Sequence, residues 1–240
     1  MHRLVRGRWL VGHLIVLSLA ALFIRLGFWQ LHRLAEVKAQ NALIEARRAD
    51  PPVDLGAIVR PSEPTGDRAV ERRVSISGRF DAAHQAFEFT PLNGEPGVDL
   101  FTPLVRSDGS AVIVDRGWIP QEPPQEHVPA EAEPPSGQVR VTGIALAGDT
   151  GGAAVTAGGL IQLTRIDLVL IQARVPYDLF PVFVRLQTQT PGQPGKLPIP
   201  MPPPALDEGP HFSYAIQWFT FAAIGLIGWP ILLHHVARER

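Results

Sequence analysis

A chain of 240 residues with 22 basic and 23 acidic side chains has a formal net charge of -1, so it lacks the basic excess that nucleic-acid phosphates require. It has no cysteine, which excludes a structural disulfide, a CxxC redox site, a thiolate zinc site and a cysteine nucleophile. The length fits one or two domains, and the 24 prolines concentrate at 120–135 and 191–210.

From Trp9 to Phe28 the sequence reads WLVGHLIVLSLAALFIRLGF, interrupted by His13 and Arg25. About 20 helical residues span roughly 30 Å, the hydrocarbon thickness of a bilayer. Arg3, Arg6 and Arg8 precede this run and could equally form the n-region of a signal peptide. The run is long for an h-region and no A-x-A site follows, so residues 9–28 read as an uncleaved anchor after a cytoplasmic segment 1–8. The segment Leu31–Asp50 contains no glycine or proline, which extends the helix to about residue 50, where Pro51 and Pro52 end it.

Residues 51–190 alternate in the manner of short strands: Arg73–Phe80, Gln85–Thr90, Val98–Arg106, Ala111–Trp118, Gln138–Leu146, Leu160–Arg165 and Pro181–Gln189. Leu92-Asn93-Gly94, Ser107-Asp108-Gly109 and Gly148-Asp149 punctuate them. The expectation is an α+β protein whose extracytoplasmic, β-rich domain is an antiparallel sheet or small barrel, with one short helix near Asp167–Ala173. Gly148–Gly159 reads as a mobile loop. Residues 191–210 read as an extended proline-rich linker.

Phe212–Leu233 carries no charge, so residues 211–233 read as a second span followed by a tail at 234–240. Basic residues flank the outer ends of the two spans, and Asp207 and Glu208 precede the second. Both termini are therefore expected in the cytoplasm, with the middle domain on the far side of the cytoplasmic membrane.

The sequence has no nucleotide-binding glycine loop, no H-E-x-x-H and no G-x-S-x-G. His84 and His127 fall in expected turns and read as solvated. Asp99 and Asp115 fall on expected strands with no histidine or serine partner to assign. These absences argue against an enzyme. On a helix, His211, Tyr214, Trp218, Ala222, Gly225 and Trp229 share one face. That stripe suits a flat, metal-centred ligand with the imidazole as axial ligand. It equally suits an interfacial aromatic belt with helix packing. Arg25, Trp29, Arg33 and Glu36 share a face of the first helix, suited to ligand carboxylates or to lipid phosphates. Ala111–Val114 reads as buried on both faces. Gly117 would permit a bulge or a positive φ. Trp118 would pack at the membrane-facing base of the domain or simply in the core, and Arg116 would point to lipid or a partner.

Three separated motifs resemble the Surfeit locus protein 1 family of cytochrome c oxidase assembly factors. The first is Leu26-Gly27-Phe28-Trp29-Gln30-Leu31-His32-Arg33 with Lys38 following. The second is Val114-Asp115-Arg116-Gly117-Trp118-Ile119-Pro120, and the third is His211 with Tyr214-Ala215 and Gln217-Trp218. The resemblance implies a helper in building haem-copper oxidase that binds or inserts haem a. Its implied partners are the oxidase catalytic subunit and haem a synthase. It implies His211 as the haem ligand, whereas many relatives carry Asn where this chain has Pro210. A permanent accessory subunit of the oxidase, with no ligand of its own, is the second reading.

Overall fold

The computed structural model describes residues 7–120, 127–157 and 160–238. Arg3, Arg6, Arg240, part of the first proline cluster and Gly158–Gly159 lie outside the described residues. The chain divides into two compact units, Met1–Leu43 with Leu206–Arg240, and Ile44–Ala205.

In the first unit, α1 (Arg8–Ala49) is one uninterrupted helix, as the absence of proline and glycine after Leu31 dictates, and it stops just before Pro51 and Pro52. The second helix of this unit, Pro230 notwithstanding, runs without a break over His211–Arg238. Both helices are long and apolar enough to cross a membrane. They lie side by side and antiparallel: His13 meets Trp229, Phe23 meets Trp218, and Gln30 meets His211. Outside this contact the pair presents apolar side chains such as Leu14, Leu17, Ile224 and Ile227, each more than half exposed. Water would oppose that surface at about 25 cal/mol per Å², whereas hydrocarbon would not.

The second unit is built on one nine-stranded sheet. In chain order it contains β1 (Val53–Asp54), α2 (Leu55–Ile58), β2 (Arg73–Phe80), β3 (Ala86–Phe89) and β4 (Gly97–Val105). There follow β5 (Ala111–Pro120), β6 (Val139–Leu146), β7 (Ala154–Ala157), β8 (Leu160–Leu163), α3 (Leu168–Gln172) and β9 (Leu179–Thr190). The helix at His211–Arg238 is α4. The spatial order is β1-β2-β6-β9-β5-β4-β3-β8-β7, and a further pairing of β2 with β4 closes β2-β6-β9-β5-β4 on itself as a five-stranded barrel.

Inside the barrel, Val74, Ile76, Leu104, Val112, Val114, Val139, Val141, Val182 and Val184 form one core, covered by Leu55 and Val59. The alternate residues of the same strands, Phe101, Ala111, Ile113, Ile144 and Phe183, join a second core with Ile171 of α3. Thus β5 is buried on both faces, as its unbroken apolar run indicates. Fully burying side chains of this size stabilises by about 1.5–3 kcal/mol each before the entropy of ordering them is counted. The 108–109 hairpin forms: Asp108 Oδ1 accepts from Ser110 N at 3.0 Å and from Ser110 Oγ at 2.6 Å. Asp167 caps α3, its Oδ1 accepting from Val169 N at 3.0 Å.

The sheet is mixed rather than antiparallel, because β1 with β2, β3 with β8, and β5 with β9 pair in parallel. The long excursion through β6, β7, β8 and α3 supplies the crossover that a parallel β5–β9 pair requires. Within Gly148–Gly159, expected as a loop, Ala154–Ala157 pairs with β8 along its whole length. The proline-rich linker is tied to the barrel: Trp118 and Ile199 exchange both backbone hydrogen bonds at 2.8 Å.

Candidate functional site

Two places gather the residues singled out from the sequence, one in each unit. In the helix pair, Gly27 sits against the ring of Phe219, where a Cβ would come within 2.6 Å. Ala20, Ala215 and Ala222 are buried alongside it. These small residues set the rotation of α1 and bring Gln30, 8% exposed, to face α4. There His211 Nδ1 and Gln30 Oε1 lie 2.8 Å apart. Pro210 suits the start of α4, since it lacks only an N–H that the helix would leave unbonded, and its carbonyl accepts from Tyr214 N at 3.0 Å.

Trp218 stacks on Phe23 with centroids 5.6 Å apart and meets Phe221 edge-on at 6.0 Å. At the far end of the pair Trp229 Nε1 donates to His13 Nδ1 at 2.7 Å. The expected α4 stripe thus faces α1 at His211, Trp218, Ala222 and Trp229, but Tyr214 is 47% exposed and Ala215 takes the inward position. Gln217 is exposed. Arg25, Trp29 and Arg33 are exposed too, and Arg33 Nη1 donates to Glu36 at 3.0 Å. The face of α1 opposed to α4 is therefore the one carrying Gln30, not the Arg25–Trp29–Arg33 face. The sequence marked Gln30 only as part of a motif. Its place one turn beyond Gly27 on the small-residue face was the signal for its role.

In the barrel unit, Asp115, Arg116, Gly117 and Trp118 act as a structural hub. Asp115 Oδ2 accepts from Arg185 Nε at 2.7 Å and its Oδ1 accepts from Gly117 N at 3.0 Å. Asp99 Oδ2 lies 3.9 Å from the same Arg185, while its Oδ1 is buried with no hydrogen-bond partner. Burial pushes the Asp99 carboxyl up to about 7, with the negative charge of Asp115 adding to it and Arg185 opposing. Burial also raises Asp115, against the pull of Arg185. Arg185 is the partner that sequence reasoning did not assign to these two aspartates. It lies on β9, and only the β5–β9 register, Asp115 opposite Arg185, brings them together.

Arg116 is 1% exposed, so it does not project from the surface towards lipid or a partner but lies inside the barrel unit. Its guanidinium lies over the Phe80 ring at 5.4 Å, and its Nη2 donates to Gln193 Oε1 at 2.6 Å. The reason is local: Gly117 adopts φ +120°, which departs from simple strand alternation. Trp118 is 5% exposed and donates from Nε1 to Thr90 O at 2.6 Å, so it is a core residue. His84 is not simply solvated, for its Nδ1 lies 2.7 Å from Asp81 Oδ2.

A pair of apolar helices in chain order around a mixed barrel, with motif residues concentrated at one helix contact and one strand, defines the class of the protein. The SURF1 family model matches residues 17–223, and the chain belongs to the SURF1 family. It is 28% identical to a SURF1-like protein of Mycobacterium tuberculosis over 99% of this chain and 88% of that protein. It is 27% identical to a SURF1-like protein of Monosiga brevicollis over 90% of this chain and 85% of that one. A shorter match, 34% identical over 40% of this chain and 25% of the other, is to the cytochrome oxidase assembly protein SHY1 of Saccharomyces cerevisiae.

Proposed function

We propose that this chain is a non-enzymatic assembly factor of cytochrome c oxidase, and that it holds haem a on its way to the catalytic subunit. Membership of the SURF1 family and the assembly role in the name of the yeast relative support the first part. The observation that carries the second is the His211–Gln30 hydrogen bond.

A histidine ligates metal through a nitrogen that bears no proton, and the bond at its other nitrogen selects which one that is. With Nδ1–H donating to Gln30 Oε1, the lone pair of His211 is left at Nε2. The residues present would fit an imidazole ligand, His211, with its orienting partner, Gln30. Haem a, when bound, supplies an iron that takes such a ligand. Tyr214 and Trp29, both about half exposed, offer aromatic surface on the neighbouring turns. Arg25 and Arg33 offer exposed guanidinium groups for propionate carboxylates. The catalytic subunit is the acceptor and haem a synthase the donor in this reading. The membrane lipids surround α1 and α4, and the barrel unit stands on the extracytoplasmic side.

The role is tested by removing the gene from its host and restoring it. Loss of oxidase carrying haem a, regained with the wild-type chain and not with His211→Ala, is the expected result. Recovery of the chain in fixed ratio with mature oxidase would instead assign it as a permanent accessory subunit. A reporter fused after Arg240 tests sidedness and should behave as cytoplasmic.

A further inference from the structure

Arg116 holds a charge that no described residue of the barrel unit balances. It is 1% exposed, yet among the described residues it enters no ion pair, because the adjacent Asp115 is taken by Arg185. Its one hydrogen-bond partner among the described residues is the neutral Gln193 Oε1. Its Nε and Nη1 are buried with no partner among the described residues. Burial of that lone charge pulls the guanidinium down to about 10. An unbalanced buried cation is costly, and the usual remedy is a carboxylate.

The same side chain lines a cavity of about 270 Å³ beneath the linker, with Leu186, Gln189, Gln193, Pro198 and Pro200. Both polar atoms of the Gln189 side chain, Nε2 and Oε1, are also buried and unpartnered. Gln193 is not available in the same way, since its Nε2 donates to Glu133 O and Leu197 O at 2.8 Å each. Two residues that line this one pocket therefore carry orphan N–H groups: Arg116 from β5, and Gln189 from the end of β9.

We propose that this cavity is a binding site for a carboxylate group, received by Arg116 and Gln189. The carboxylate accepts from the orphan N–H groups and supplies the missing countercharge, while Gln189 Oε1 requires a donor from the ligand or from water. The volume falls below the 300–1,000 Å³ or so of pockets that enclose drug-sized molecules. The site therefore takes a carboxylate-bearing arm rather than a whole tetrapyrrole. Such an arm belongs either to a porphyrin propionate or to an acidic side chain of a partner protein. The site stands whether or not His211 ligates haem.

The test uses the full-length protein in non-ionic detergent, labelled with ¹⁵N-arginine. The Arg116 Nε–H signal is identified by its loss in Arg116→Lys, or by its proximity to the Phe80 ring should that variant not fold. Sodium acetate should shift this signal saturably, and sodium chloride at equal ionic strength should not. Gln189→Leu removes one hydrogen bond to a charged group and should weaken acetate by about tenfold. Zinc protoporphyrin against its dimethyl ester, and acetyl-Ala-Glu-Ala-amide against its Gln counterpart, then distinguish the sources by competition with acetate. Competition by neither, with acetate bound, assigns a small free carboxylate. Equal shifts with acetate and chloride, or acetate binding unchanged in Gln189→Leu, would overturn the proposal.

Discussion

Arg185 Nε donates to Asp115 Oδ2 at 2.7 Å, while the second carboxylate near that guanidinium, Asp99, stays 3.9 Å away. One cation thus serves two buried acids, and burial pushes the more distant one, Asp99, up to about 7.

This arrangement predicts a pH-dependent stability of the barrel unit. The folded-state value of Asp99 lies above its ordinary 3.8, so its stabilising contribution is complete below about pH 4 and is lost as pH rises through about 7. The loss is on the order of a few kcal/mol. The melting midpoint of the purified protein should fall between pH 5 and pH 8 or so. Asp99→Asn, which cannot ionise, should flatten that slope. An equally steep slope in Asp99→Asn would assign it to other groups.

Gly117 is held at φ +120°, and a Cβ there would lie 2.2 Å from Ile199 O. Gly117→Ala should cost about 2–4 kcal/mol, combining backbone strain with loss of the Trp118–Ile199 bridge. Denaturant melts check the magnitude. Backbone amide exchange at Ile199 checks the cause, for that amide should become unprotected.

Trp118 contributes both its buried ring and its bond to Thr90 O. Trp118→Ala should destabilise by about 3–5 kcal/mol, and Trp118→Phe by about 1–3 kcal/mol because it leaves the Thr90 carbonyl without its donor. A Phe variant as stable as wild type would show the bond to be dispensable.

The helix pair offers a prediction at the level of one proton. The His211 ring should populate the Nδ1–H tautomer, visible in its ¹⁵N shifts. Gln30→Leu removes the acceptor and should return the ring to the mixture of an unconstrained imidazole. Gly27→Leu should do the same from one turn away, since its side chain would enter the space of the Phe219 ring.

Much of this architecture is legible in the sequence. The two apolar runs delimit α1 and α4, and alternation locates β2 over Arg73–Phe80 to the residue. What alternation does not carry is which strands become neighbours. The parallel β5–β9 pair, which puts Arg185 beside Asp115, joins residues 70 apart in the chain. The orientation of Arg116 escaped for a different reason. A strand buried on both faces has no polar side to mark, and Gly117 breaks the alternation just after it. On α1 the helical period relates Arg25, Trp29 and Arg33 to one another but not to α4. The choice of facing side follows from packing at Gly27 and Ala20, which excludes the bulkier residues. The class of protein was readable from its three motifs because their residues occupy positions that packing constrains tightly, such as Gly27, Gly117 and Trp118.

The most direct measurement is the absorbance spectrum of the full-length protein purified after co-expression with the enzymes of haem a synthesis. A haem a Soret band is expected in the wild type. The band should be absent in His211→Ala and weakened in Gln30→Leu, with both variants still folded and membrane-inserted. A full haem a band in His211→Ala would contradict the assignment of His211 as the ligand.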